Sequence, residues 1–156
     1  MDAPTSAAPT TVIAVNSPDD TATLAARVAR GLTPGACLLL EGPIGAGKTT
    51  FARALIQTLL EVPEDVPSPT FTLVQTYETA RFDVWHCDLY RLTSADELTE
   101  IGLEEAFEHA VTLIEWPDRL GDMRPEHAIT LHFEPADAAD ARVLTVTGHA
   151  PWVAHL

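Results

Sequence analysis

Basic residues are scarce in this chain. Nine lysines and arginines face 23 aspartates and glutamates, for a formal net charge of −14 over 156 residues. Proteins that grip a nucleic-acid backbone unaided neutralise phosphates with lysine and arginine, so the shortage excludes that role except through a partner. The acidic surplus reads as solvated faces or as attraction to a basic protein. Cysteine is nearly absent as well: Cys37 and Cys87 stand far apart, at no metal-ligand spacing, in apolar strand-like stretches. They read as buried structural thiols in a reducing compartment, not as a disulfide framework or a metal cluster. No apolar run is long enough to span a membrane. The first 18 residues are rich in Ala, Pro, Thr and Ser and lack the basic segment and apolar stretch of a secretion signal. A cytoplasmic protein is the expectation.

Lysine occurs once, and its place is informative. Lys48 lies in Gly42-Pro43-Ile44-Gly45-Ala46-Gly47-Lys48-Thr49, which fits the phosphate-binding pattern G-x-x-x-x-G-K-[ST] at every fixed position. Each position has a chemical reason: glycines let backbone N–H groups turn toward phosphate oxygens, the ammonium reaches the β- and γ-phosphates, and the hydroxyl ligates Mg2+. Gly42, Gly45, Ala46, Gly47, Lys48, Thr49 and Thr50 are therefore the candidate nucleotide-binding residues. The pattern means more between a strand and a helix. Residues 36–40 form a short apolar run after the turn Thr33-Pro34-Gly35, as a buried central strand would. Residues 49–60 hold no glycine or proline and repeat Phe51, Ala54, Leu55, Thr58 and Leu59 at spacings of three and four, which predicts a helix from about Lys48 whose N-terminus points at the phosphates.

With 46% apolar residues the chain is expected to fold as one unstapled domain over residues 11–150, with a flexible segment at 1–10 and a tail at 151–156. A first strand is expected at 11–15 and a helix at 20–30, capped by Ser17 or Asp19 and closed by Gly31. Three prolines make residues 62–69 an irregular loop. Strands at 70–77 and 82–89 form an antiparallel hairpin around a four-residue turn. A capping box at Ser94-Ala95-Asp96-Glu97 opens a helix over 96–101, and Gly102 breaks it before a second helical turn through Phe107. A buried strand at 111–114 and a final pair at 128–133 and 142–146 complete a three-layer α/β domain with a mixed, mainly parallel sheet.

A triphosphate with Mg2+ needs a carboxylate at the C-terminal end of a neighbouring strand. Glu115 and Asp88 both close such strands. Glu115, after the more uniform apolar run, is preferred for the metal, and Asp88 for positioning or activating the attacking water. Alternation along the strand points Cys87 away from His86 and Asp88, so a cysteine nucleophile is disfavoured and His86 reads as a structural hydrogen-bonder. Thr70, at the mouth of the proline-rich loop, is a candidate sensor of the γ-phosphate, and Trp116 a candidate lid or stacking residue.

Together with the loop, Ser68-Pro69-Thr70-Phe71-Thr72-Leu73-Val74, His86-Cys87-Asp88-Leu89-Tyr90-Arg91-Leu92, Ile101-Gly102-Leu103-Glu104-Glu105 and Ile114-Glu115-Trp116-Pro117 resemble the bacterial TsaE (YjeE) family, in the family's order, over roughly residues 17–120. The resemblance implies a P-loop ATPase that uses ATP and Mg2+. It also implies support for threonylcarbamoyladenosine synthesis in tRNA alongside the TsaB and TsaD proteins, tRNA being reached only through that complex. It implies Mg2+ held by Thr49 and Glu115, and it matches the family's aspartate to Asp88. Pro43 departs from the family, which usually carries an acidic residue there; a proline contributes no N–H to a phosphate. The alternative is a small-molecule kinase on the same loop, which needs cationic groups around the transferred phosphoryl; Arg81, Arg91 and Arg119 are the arginines that would have to converge. A module that binds ATP and hydrolyses it negligibly alone overlaps the first reading.

Overall fold

The computed structural model describes residues 8–60, 62, 64–69 and 72–156. The elements run β1 (Thr10–Val15), α1 (Pro18–Gly31), β2 (Cys37–Glu41), α2 (Lys48–Leu59), β3 (Val74–Glu78), β4 (Asp83–Asp88), α3 (Asp96–Glu100), α4 (Leu103–His109), β5 (Val111–Glu115), β6 (Ile129–Pro135) and β7 (Arg142–Thr147), with 3-10 turns at Pro117–Met123 and Pro151–His155. Among the described residues the strands form one sheet ordered β1-β7-β6-β2-β5-β4-β3. β6, β2, β5 and β4 run parallel at its centre, while β1 with β7, β7 with β6, and β3 with β4 pair antiparallel. A parallel centre must be covered on both faces, which explains why β2 and β5 are almost uninterrupted apolar runs. Leu38 and Leu40 pack with α1 and α2 through Leu24, Val28, Phe51 and Leu55. Cys37 and Leu39 face the other way, toward Leu98, Leu103 and Phe107 of α3 and α4. The result is the expected three-layer α/β architecture.

Local signals explain most element ends. Ser17 Oγ accepts from the Asp20 N–H at 3.1 Å and caps α1, which starts at Pro18 because a proline at the first helical position gives up only an N–H that had no helical partner. Gly31 is still helical, and α1 is closed by Leu32. Glycine is required at 31 by packing: a Cβ there would lie 2.5 Å from the Trp152 ring. β3 begins at Val74, later than expected, because Leu73 takes a left-handed φ of 69° and its N–H turns back to Pro69 O at 2.8 Å; the rest of that expected strand, Thr70 and Phe71, lies outside the described residues. The reciprocal capping box at α3 does not form. Ser94 Oγ accepts from the Asp96 N–H at 3.2 Å, and the Glu97 carboxylate accepts from the Thr93 hydroxyl, not from the backbone. The expected flexible N-terminus falls mostly on residues 1–7, outside the described residues. In the segment expected as a C-terminal tail, Val153 is buried and its carbonyl accepts from Thr11 Oγ at 2.7 Å.

Candidate nucleotide-binding site

The loop after β2 and the ends of β4 and β5 meet at one edge of the sheet, since parallel strands bring their C-terminal ends to the same side. In that register Asp88 stands beside Glu115 and Leu40 beside Glu115 on the other flank. A cavity of about 210 Å³ opens there, lined by Ile44, Gly45, Lys48, Thr49, Asp88, Tyr90, Glu115 and Trp116. Lys48, Thr49, Asp88, Glu115 and Trp116 share this cavity with Gly45, whereas Gly42, Ala46 and Gly47 form the loop behind it. Thr50 is exposed on the first turn of α2 and does not line it. Thr70 lies outside the described residues. Ile44 and Tyr90, which line the wall, were not singled out as nucleotide contacts by the sequence; Ile44 is a largely exposed apolar side chain.

The loop needs its glycines. Gly42 has φ 139°, and a Cβ on it would lie 2.4 Å from Phe133 O, so the turn runs against β6 with no room for a side chain. Gly47, at φ 101°, caps α2 with no side-chain hydrogen bond, leaving the first N–H groups of α2 without a side-chain acceptor at the end where the helix dipole favours anions. Phe51 of α2 meets Phe133 edge-on at 5.7 Å, which fixes the helix against β6. Ala46 N–H donates to Pro43 O at 3.2 Å, so Pro43 contributes a carbonyl to the turn.

Lys48 is held in place. Its ammonium donates to Gly42 O at 2.5 Å and sits 3.5 Å from the centroid of the Trp116 ring, a cation–π contact. Burial lowers its pKa from the ordinary lysine value, against the raising pull of Glu115, Asp88 and Asp118. Trp116 has a left-handed φ of 59°; for a bulky residue this costs on the order of 1–3 kcal/mol, and such strain gathers at working sites. The strained turn lays the indole over Lys48 and against Tyr90, ring centroids 5.0 Å apart.

The acids occupy distinct environments. Glu115 is 2% exposed and fully engaged: Oε1 accepts from the Thr49 hydroxyl at 2.7 Å, and Oε2 lies 2.7 Å from Nε2 of His86, which is 0% exposed. Asp88 Oδ1 accepts from the Tyr90 N–H at 3.0 Å, closing a tight turn that carries Tyr90 to the cavity. Cys87 points into the opposite layer, and burial pushes its thiol pKa up, which keeps it protonated and inert.

The donor set can be compared with a hard cation. Mg2+ takes oxygen ligands at about 2.0–2.1 Å in an octahedron, which places neighbouring ligand oxygens about 2.9 Å apart. The Thr49 hydroxyl and Glu115 carboxylate oxygens stand 2.7 Å apart, close to that separation. Among the described residues no group of three or more His, Cys, Asp and Glu side chains gathers to hold a metal; Mg2+ commonly keeps waters and substrate phosphates as its other ligands, so a hydroxyl and one carboxylate suit it.

Among the described residues the cationic cluster a kinase would need does not assemble at this cavity. Arg81 donates to Ala29 O at 3.0 Å and Leu32 O at 2.6 Å, at the far end of α1. Arg119 pairs with Asp118 at 3.8 Å and donates to Leu92 O at 3.4 Å. Among the described residues no arginine lines the cavity. A larger recess of about 790 Å³ lies at the opposite end of the strands, against Gly35, Cys37 and Trp152, away from these groups. Among the described residues no helix is long and apolar enough to cross a membrane.

Residues 15–144 match the family model described as "Threonylcarbamoyl adenosine biosynthesis protein TsaE". The chain is 40% identical over 133 residues to the tRNA threonylcarbamoyladenosine biosynthesis protein TsaE of Rickettsia bellii (strain RML369-C), covering 85% of this chain and 92% of that one. It is 34% identical over 132 residues to the protein of the same name from Bacillus subtilis (strain 168), covering 84% and 81%. The crystal structure of Bacillus subtilis YdiB superposes with a TM-score of 0.77 at 28% identity, covering 92% of this chain and 88% of that one.

Proposed function

The chain belongs to the TsaE family, and from that premise we propose that it is a Mg2+-dependent ATPase of the cytoplasm that acts with the TsaD and TsaB proteins in threonylcarbamoyladenosine modification of tRNA. In this reading it hydrolyses ATP to ADP and phosphate so that transfer runs over many turnovers. The observation that carries the reading is the placement of the Thr49 hydroxyl and Glu115 carboxylate, 2.7 Å apart, beside Lys48 at the mouth of a phosphate-binding loop. The relatives' names supply the pathway, and the net charge of −14 supports reaching tRNA through partners.

Each residue then has a task. The N–H groups of Gly45, Gly47 and the first turn of α2 bind phosphate oxygens, and Lys48 leaves Gly42 O and the Trp116 face to meet the β- and γ-phosphates. Thr49 and Glu115 would hold Mg2+, and the ion would supply neutralisation of phosphate charge. His86 keeps the Glu115 carboxylate turned toward Thr49. Asp88 accepts a hydrogen bond from the attacking water and takes its proton as the bond to the γ-phosphorus forms and the β–γ bridge breaks. Trp116 and Tyr90 cover the site.

The test is threonylcarbamoyladenosine formation on tRNA over repeated turnovers by TsaD and TsaB with this protein, scored together with phosphate release. Repeated cycles that require the wild-type protein and fail with Lys48→Ala or Glu115→Gln support the reading. Cycling that proceeds equally without the protein overturns it.

A further inference from the structure

Strand β7 begins with an arginine that none of the loop's sequence pattern anticipates. Arg142 opens β7 opposite Pro135 of β6, and β6 is the strand whose Phe133 carbonyl crowds Gly42. The guanidinium reaches back across 97 residues of sequence to the loop: Nη2 donates to Gly45 O at 3.0 Å, and Nε donates to Ala46 O at 3.1 Å. Its other face is anchored on its own turn, where Nη1 donates to Ala139 O and Ala141 O, each at 2.8 Å. Four hydrogen bonds from one planar fork therefore tie the hairpin to two consecutive peptide groups of the loop.

The consequence follows from peptide geometry. In a trans peptide the C=O and the next N–H point in opposite directions. Holding the Gly45 and Ala46 carbonyls outward, on Arg142, fixes the N–H groups of Ala46 and Gly47 on the inward side of the loop. The Ala46 N–H is used within the turn, on Pro43 O at 3.2 Å; the Gly47 N–H is left aimed inward. Gly47, with a φ of 101°, has no intrinsic preference that would hold this arrangement. The geometry points to Arg142 as a positioning residue for nucleotide binding: it holds the phosphate loop in its binding shape before a nucleotide arrives, and adds a positive charge one layer behind the phosphates. This rests on the nucleotide-binding reading above. Its energetic logic is preorganisation, since a loop already ordered loses less conformational entropy on binding.

The test compares wild type with Arg142→Ala and Arg142→Lys, titrating ATP with Mg2+ and following hydrogen exchange of the nucleotide-free proteins. Arg142→Ala is expected to weaken ATP binding at least about tenfold, equal to about 1.4 kcal/mol, while turnover at saturating ATP changes by less than about threefold. Lysine restores only part of the affinity, because a single ammonium does not reproduce a fork that bridges two carbonyls. In the same variant the amides of residues 45–49 exchange at least tenfold faster while those of α1 are unchanged. Unaltered affinity in Arg142→Ala, full rescue by lysine, or exchange that quickens equally across the sheet overturns the inference. If wild type itself binds no ATP, the nucleotide reading fails, and the loop-exchange comparison alone decides the role of Arg142 in ordering the loop. Should the variants fail to fold, the Arg142 Nε–H of wild type serves instead: a resonance protected from exchange supports the clamp, and an unprotected one overturns it.

Discussion

Replacing His86 with alanine removes the nitrogen that stands 2.7 Å from Glu115 Oε2, at a place where the two side chains are 0% and 2% exposed and water cannot take over. Breaking a buried pair by deleting one partner costs about 3–5 kcal/mol, because the remaining charge stays in a medium that solvates it poorly. Here the Thr49 hydroxyl still donates to Oε1, which places the expected loss near the lower end, about 3 kcal/mol. For a chain of 156 residues, about 2–4 °C per kcal/mol translates this into a fall in Tm of about 6–12 °C. Urea unfolding followed by circular dichroism measures it directly. His86→Gln, whose amide N–H can stand near the lost ring nitrogen, should recover a good part of the difference. An Arg142-independent sign of the same defect is a weaker dependence of phosphate release on Mg2+, since the carboxylate loses the neighbour that orients it. If His86→Ala unfolds within about 0.5 kcal/mol of wild type, the spread expected of a surface substitution, the buried pair does not support Glu115 and the reasoning fails.

Glu115→Gln keeps the shape and removes the charge, so phosphate release at fixed Mg2+ should drop at least about 100-fold, and excess Mg2+ should not restore it fully; a loss under threefold would contradict its role. Gly42→Ala should lower stability by at least about 2 kcal/mol, because its Cβ would meet Phe133 O at 2.4 Å; an unchanged urea midpoint would show that the loop yields cheaply. Burial pushes the Cys37 thiol up to about 11 from an ordinary 9.0, so iodoacetamide at pH 8 should label neither cysteine in the native protein and both after unfolding. The same shift has a sign: between pH 9.0 and about 11 the unfolded chain has released the Cys37 proton and the folded chain has not. Stability therefore falls as pH rises through that window, by up to about 1.4 kcal/mol per pH unit from this residue. Cys37→Ala should remove that part of the slope, and an identical slope in the variant would contradict the burial argument.

The parts of the fold that sequence reading reached were those written in short-range chemistry. The apolar run of β2, the glycine spacing of the loop and the 3.6-residue periodicity of α2 are local, and each appears within a residue or two of its expected place. Glu115 and Asp88 were found as strand-end acids because both strands end in a change from apolar to charged residues, and the parallel register then sets them side by side. The contacts that tune the site are different in kind. The Lys48 ammonium on Trp116 depends on a left-handed backbone at a bulky residue, which local preference argues against. His86 joins Glu115 across 29 residues, and Arg142 joins Ala46 across 96; each requires a strand order that no local signal encodes. The late start of β3 has the same origin, since the turn at Leu73 is closed by Pro69 and by the donation of the Asp88 N–H to Leu73 O at 3.0 Å. An Arg at the first position of a strand after an acidic turn looks like any solvated residue until the hairpin folds over the loop.

The central claim is that this loop binds a magnesium nucleotide, and calorimetric titration of ATP into the protein tests it most directly, with and without Mg2+, for wild type and Lys48→Ala. The account predicts one-to-one binding that Mg2+ strengthens in wild type, and loss of that binding in a Lys48→Ala protein that melts as wild type does. No binding by wild type, or equal binding by the variant, would contradict it.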